Sequence, residues 1–126
     1  MFEIRIEDTF AAAHFIVHYN GKCERLHGHN YRVRVYARGN TLDEGGMLID
    51  FGVLKGALHE VLALLDHSPL NDHPFFARRD PSAEHIAWFI YGELTSRLPK
   101  APISRIEVFE TEKNMAAYIP DTDSSV

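Results

Sequence analysis

The segment NYRVRVYAR, residues 30–38, alternates with a period of two. In an extended chain Tyr31, Val33, Val35 and Ala37 fall on one side, and Arg32, Arg34, Tyr36 and Arg38 on the other. Aromatic and β-branched residues on one face, with charge on the other, mark a strand that covers a core. The first residues repeat the pattern: in FEIRIE, residues 2–7, Phe2, Ile4 and Ile6 oppose Glu3, Arg5 and Glu7. GNTLDEGG, residues 39–46, reads as a turn region.

Working outward, the period changes. Asp50 stands where a helix cap is needed, and Leu54, Leu58, Val61, Leu62 and Leu65 recur at helical spacing. This helix is expected to stop near Asp66, because Pro69 disfavours a helical residue before it. Residues 67–81, HSPLNDHPFFARRDP, read as a loop. A second helix is expected to open near DPSAEH, with Pro81 in its first turn, Ile86, Phe89, Ile90 and Leu94 as its apolar stripe, and Pro99 and Pro102 at its end. ISRIEVFE, residues 103–110, reads as a third strand and MAAYI, residues 115–119, as a fourth. The order ββααββ predicts an α+β domain, an antiparallel sheet with helices on one face. The other face then needs cover, from a partner subunit or a closed oligomeric barrel.

The 126 residues fit one domain, expected over residues 1–120 with a polar tail at 121–126. A net charge of −5 argues against a nucleic-acid binder, which needs a basic face. With one cysteine, Cys23, no internal disulfide forms, which fits a reducing compartment. There is no apolar run of about 18 residues to span a membrane. The opening MFEIRIED carries both signs of charge and does not read as a signal peptide, so the expected location is the cytoplasm.

The chemistry concentrates in KCERLHGHNY, residues 22–31. His27 and His29 are two apart, so on a strand both imidazoles project to the side of Tyr31 and Val33. Gly28 between them lets the backbone approach closely. His14, in FAAAHF, is the best third metal ligand, because it lies where the first strand turns back toward the second. Zinc takes three protein ligands in catalytic sites and four in structural ones. Cys23 as a fourth ligand would close the site. Left uncoordinated near a dication, Lys22 and Arg25, its thiol would ionise readily and act as base or nucleophile. Asp66 and His67 form a candidate proton-transfer pair if the chain turns at the helix end. Glu110 continues the face of Ile106 and Val108, which puts a carboxylate at the rim of an apolar surface, or in solvent if the strand has ended. Glu107 and Glu112 read as polar surface, and His18, His59, His73 and His85 as solvated or locally bonded.

FAAAHF, CERLHGHNY, GMLIDF, LDHSPLND, PSAEHIAWF and VFETE occur in one order across roughly residues 2–118. In this the chain resembles the pyruvoyl-tetrahydropterin synthase and carboxy-tetrahydropterin synthase family. The resemblance implies a tunnelling fold, with a four-stranded antiparallel sheet and two helices on one face, assembled as a hexamer of two stacked trimers. It implies zinc on His14, His27 and His29, a catalytic Cys23, and an Asp66–His67 catalytic pair. It further implies a pterin-anchoring Glu110 and substrate contacts near Ser82. The three residues between Cys23 and His27 look more like the bacterial carboxy-tetrahydropterin synthases. The implied reaction is then a lyase step from 7,8-dihydroneopterin triphosphate to 6-carboxy-5,6,7,8-tetrahydropterin, on the route to queuosine and other deazapurines, with no nicotinamide cofactor. The sequence departs from the family's common Pro-Thr-x-Glu-Asn at PSAEH, with Ser82 for Thr and His85 for Asn. Glu24 beside Cys23 resembles relatives that cleave the side chain to a folate precursor. A pyruvoyl product is a further alternative. A non-catalytic zinc-binding interaction module, with Cys23 as fourth ligand, is the alternative of another class.

Overall fold

A computed structural model describes residues 1–17 and 25–121, and Lys22, Cys23, Glu24 and His18 therefore lie outside the described residues. Strands β1 (Phe2–His14) and β2 (His27–Gly39) are followed by helix α1 (Phe51–Ala63), helix α2 (Ala83–Arg97), and strands β3 (Ile103–Phe109) and β4 (Met115–Tyr118). The sheet is antiparallel with order β1-β2-β3-β4. Among the described residues no helix is long and apolar enough to cross a membrane.

The alternation of β2 does what its pattern predicts: Tyr31, Val33, Val35 and Ala37 are all fully buried. Their partners on β1 include Phe10 opposite Tyr31 and Ile6 opposite Val35. Both helices pack on this face, α1 against β1 and α2 against β3 and β4. Asp50 caps α1, its carboxylate accepting from the Gly52 and Val53 N–H groups at 2.6 and 3.3 Å. Leu54, Leu58, Val61, Leu62 and Leu65 are buried, as are Ile86, Phe89, Ile90 and Leu94. Each large aliphatic side chain removed from water this way contributes roughly 1.5–3 kcal/mol.

Four local expectations need correction. β1 runs on to His14, because Phe10 stacks on Tyr31 with ring centroids 4.7 Å apart and the alanines after it continue the ladder. The 67–81 segment contains two 3-10 turns, Leu70–Asp72 and Pro74–Phe76, each anchored by a buried apolar residue, Leu70 and Phe76. Pro81 is not in the first turn of α2. Ser82 is the cap, its hydroxyl accepting the His85 N–H at 3.2 Å, so the helix begins at Ala83 and Pro81 precedes it. Glu107 is not polar surface but 7% exposed, taking the Tyr36 hydroxyl at 2.9 Å and the Arg105 guanidinium at 2.8 Å.

The face away from the helices is a lattice of charge and aromatic rings. Arg34 pairs with Glu7 at 2.8 Å, and Arg32 and Arg34 both lie over the Phe109 ring. Side chains that satisfy one another laterally leave this face ordered yet without an apolar layer of its own.

Candidate metal centre and active site

The register of β1 with β2 builds the centre. His14 is the cross-strand partner of His27, and Ala12 that of His29. All three histidines share the parity of the buried face, so their rings converge at one end of the ladder. Ring centroids are 4.6 to 5.0 Å apart. One ligand nitrogen from each lies within 4.8 Å of the others. Burial is graded: His14 is buried, His29 intermediate and His27 exposed. The cluster therefore opens to solvent on the His27 side.

Backbone carbonyls set the tautomers. Nδ1 of His14 is 2.8 Å from the Pro81 carbonyl, and Nδ1 of His27 is 2.8 Å from the Arg25 carbonyl. A carbonyl only accepts, so each Nδ1 carries the proton, and in the neutral ring each Nε2 presents a lone pair. Those two Nε2 atoms stand 3.1 Å apart. Oε1 of Glu110 adds a further acceptor, 3.1 Å from His14 Nε2 and 3.6 Å from His29 Nε2. Acceptors gathered this closely repel unless a cation sits among them. The three imidazoles match the ligand set of a catalytic zinc site, with the Glu110 carboxylate beside them. The 3.1 Å separation is near the edge of about 3.3 Å that tetrahedral zinc–nitrogen bonds require. The residues present therefore fit the metal.

Glu110 follows β3, its N–H held by the Asn114 carbonyl at 3.1 Å. The strand ends one residue before it, and the carboxylate stays part-exposed while turning toward His14 and His29. Tyr31 forms a wall of the cluster, its ring edge-on to those of His14 and His29. Burial, and secondarily the Glu110 charge, pushes its phenol well above the ordinary range, so the hydroxyl stays protonated.

Asp66 and His67 meet as the sequence allowed. His67 adopts φ of 56°, in the left-handed region that a non-glycine residue rarely occupies, and its Nδ1 lies 2.8 Å from the Asp66 carboxylate. Ala11 of β1 holds the pair from both sides. Its N–H donates to Asp66 at 2.9 Å and its carbonyl accepts the His67 N–H at 2.5 Å. The Ala11 amide, ahead of His67, keeps the Asp66 carboxyl below its usual range. The His67 ring is largely exposed. It borders a shallow depression of about 440 Å³ shared with Ala11, Ala13, Gly28 and Asn30, of the opposite strand parity to the imidazole cluster, and with Ala12 and His29, of the same parity. The pair thus sits at the end of the β1–β2 ladder, at an open depression that His29 also lines.

Ser82 directly follows Pro81, beside the centre, with its hydroxyl engaged as the α2 cap. Cys23 lies outside the described residues. His59 is exposed near Asp8, His73 bonds the Phe75 N–H, and His85 bonds the Asp80 carbonyl, as the local readings anticipated. Arg79, in the segment between the helices, stacks over Phe75 and Trp88. Sequence reasoning missed the Pro81 and Arg25 carbonyls, since a backbone acceptor leaves no residue-type signal.

A profile of the 6-pyruvoyl tetrahydropterin synthase family matches residues 3–121. The 6-carboxy-5,6,7,8-tetrahydropterin synthase of Synechocystis sp. is 39% identical, over 94% of this chain and 93% of that protein. The enzyme of the same name from Bacillus subtilis is 35% identical, over 94% and 86%. The solved structure of Caenorhabditis elegans 6-pyruvoyl tetrahydropterin synthase superposes with a TM-score of 0.84 at 29% identity, covering 95% of this chain and 96% of that one. Sequence and tunnelling fold agree over nearly the full length, and the chain belongs to the 6-pyruvoyl tetrahydropterin synthase family, a family of enzymes.

Proposed function

We propose that the protein is a zinc-dependent carbon–carbon lyase that converts 7,8-dihydroneopterin triphosphate to 6-carboxy-5,6,7,8-tetrahydropterin, with release of acetaldehyde and triphosphate. The convergence of three imidazole nitrogens and the Glu110 carboxylate carries this reading. The names of the two bacterial relatives and the three-residue gap between Cys23 and His27 support the carboxy product.

His14, His27 and His29 hold the metal. When bound, zinc supplies a Lewis acid that polarises oxygens of the substrate side chain. Cys23, as thiolate, removes a proton from that side chain. His67, oriented by Asp66, handles a second proton. The Ala11 clamp keeps Asp66 ionised and the imidazole in one orientation, so His67 presents Nε2 for the transfer. Glu110, beside the cluster, accepts hydrogen bonds from pterin N–H groups, and Ser82 contributes to the pocket wall. The substrate carries its own reducing equivalents, so no nicotinamide is needed.

The active assembly in this reading is a hexamer, a dimer of trimers, in the cytoplasm. One feature supports an oligomer: the His67 ring is largely exposed at the rim of an open depression, where a second chain can complete the site. Residues 1–120 form the single pterin-synthase-like domain, with a polar tail at 121–126.

The test is incubation of the zinc-loaded protein with 7,8-dihydroneopterin triphosphate and identification of the pterin by mass. A 6-carboxy product with stoichiometric acetaldehyde is expected. A 6-pyruvoyl product, matching the name of the nematode relative, or a folate-type cleavage product would refute the assignment within the family. No turnover, with zinc-dependent folding, would favour the non-catalytic zinc module.

A further inference from the structure

The imidazole of His85 fastens the turn whose carbonyl meets the cluster. Its Nδ1 lies 2.6 Å from the Asp80 carbonyl, and since a carbonyl only accepts, Nδ1 carries the proton. Its main-chain N–H donates to the Ser82 hydroxyl at 3.2 Å. Residue 85 therefore grips the Asp80-Pro81-Ser82 turn on both sides of Pro81. The side chain of Asp80 reaches in the other direction and accepts the Val17 N–H at 3.0 Å, tying the turn to the chain leaving β1. Between these anchors the Pro81 carbonyl accepts from Nδ1 of the buried His14 at 2.8 Å.

We propose that His85 is a positioning residue for the metal centre: by holding the Asp80 carbonyl it fixes the Pro81 carbonyl, which sets the tautomer and aim of His14. The Pro81 carbonyl is the group bonded directly to a ligand, and loss of such a partner lowers metal affinity by about 10–100-fold; His85 acts through it, one step further out, so its loss is expected at the lower end of that range. The main-chain half of the grip survives any substitution at 85, so the side-chain donor alone is under test. The proposal rests on reading the three imidazoles as a metal site.

Two variants separate the donor from the ring. His85→Asn keeps an N–H donor close to the position of Nδ1 without the ring. His85→Phe keeps a ring of similar bulk beside Trp88 without the donor. Zinc affinity of the full chain is measured by competition with a chromophoric chelator. His85→Asn is expected within about threefold of the parent, and His85→Phe weakened by about 10-fold or more. In metal-free protein, two-bond proton–nitrogen correlation spectra read the His14 tautomer directly. The parent and His85→Asn should show a protonated Nδ1 and a bare Nε2, and His85→Phe a mixture. Parental affinity in His85→Phe, or an equal loss in both variants, overturns the proposal. If the phenylalanine variant does not fold, His85→Met removes the donor with a flexible side chain and is read the same way. A parent that binds no zinc refutes the metal reading itself, and the His14 tautomer in the metal-free variants still decides the clamp.

Discussion

Tyr31→Phe should stabilise the metal-free protein. The Tyr31 ring is fully buried, and among the described residues its hydroxyl has no hydrogen-bond partner. A buried hydroxyl without a partner costs about 1–3 kcal/mol relative to water. Phenylalanine removes that cost and keeps what the ring provides: the stack on Phe10, at 4.7 Å and 10°, and the edge contacts with His14 and His29. Some loss of close packing where the oxygen sat offsets the gain, so a net of about 1 kcal/mol is expected. For a domain of this size that is a rise in Tm of about 3–5 °C. Differential scanning calorimetry of chelator-treated protein, at one fixed protein concentration, reads it. A fall in Tm would mean that the hydroxyl is bonded in the folded protein, and the description of the cluster's wall would be wrong.

The other predictions concern chemistry. His27→Ala should strip zinc, measured by elemental analysis, while circular dichroism of the metal-free form stays unchanged, because His27 is an exposed residue at a strand end; full zinc retention would remove it from the ligand set. Cys23→Ala should retain zinc and lose turnover, and parental activity would refute its role as base. Asp66→Asn should flatten the acid limb of the stability profile. The Asp66 carboxyl is lowered in the folded state, chiefly by the Ala11 N–H, so its contribution is present above the unfolded value of about 3.9 and is lost as pH falls through the folded one. Urea midpoints measured from neutral pH into that range would show no difference in slope if the Ala11 bond does not form.

Strand β2 and both helices were legible because their apolar residues repeat with the period of the element they form. The second half of β1 was not: AAA has no polar partner to alternate with, and only pairing with residues 28–30 makes it strand. The imidazoles were legible for the same reason as β2, since parity puts His27 and His29 on the face of Tyr31. Glu107 and Glu110 show where parity runs out. Glu107 lies within β3 and Glu110 just past its end, and both are engaged, Glu107 by Tyr36 and Arg105, Glu110 by the histidines. Which partners face each carboxylate depends on register with β2 and on where β3 stops, and neither is written in β3 itself. The Asp66–His67 pair needed a left-handed residue at 67 that no glycine announced.

The clamp on Ala11 also governs how far the sheet can grow. β1 is an edge strand, and an exposed edge invites another chain to add to the ladder. From Ala11 onward the outer backbone is already taken: Asp66 and His67 use both groups of Ala11, and the Ser68 carbonyl accepts the Ala13 N–H at 3.2 Å. A neighbouring strand can therefore zip along β1 only until it meets this plug. The loop that carries His67 doubles as a ruler, fixing the length over which two sheets may join and barring runaway, fibre-like stacking at that end.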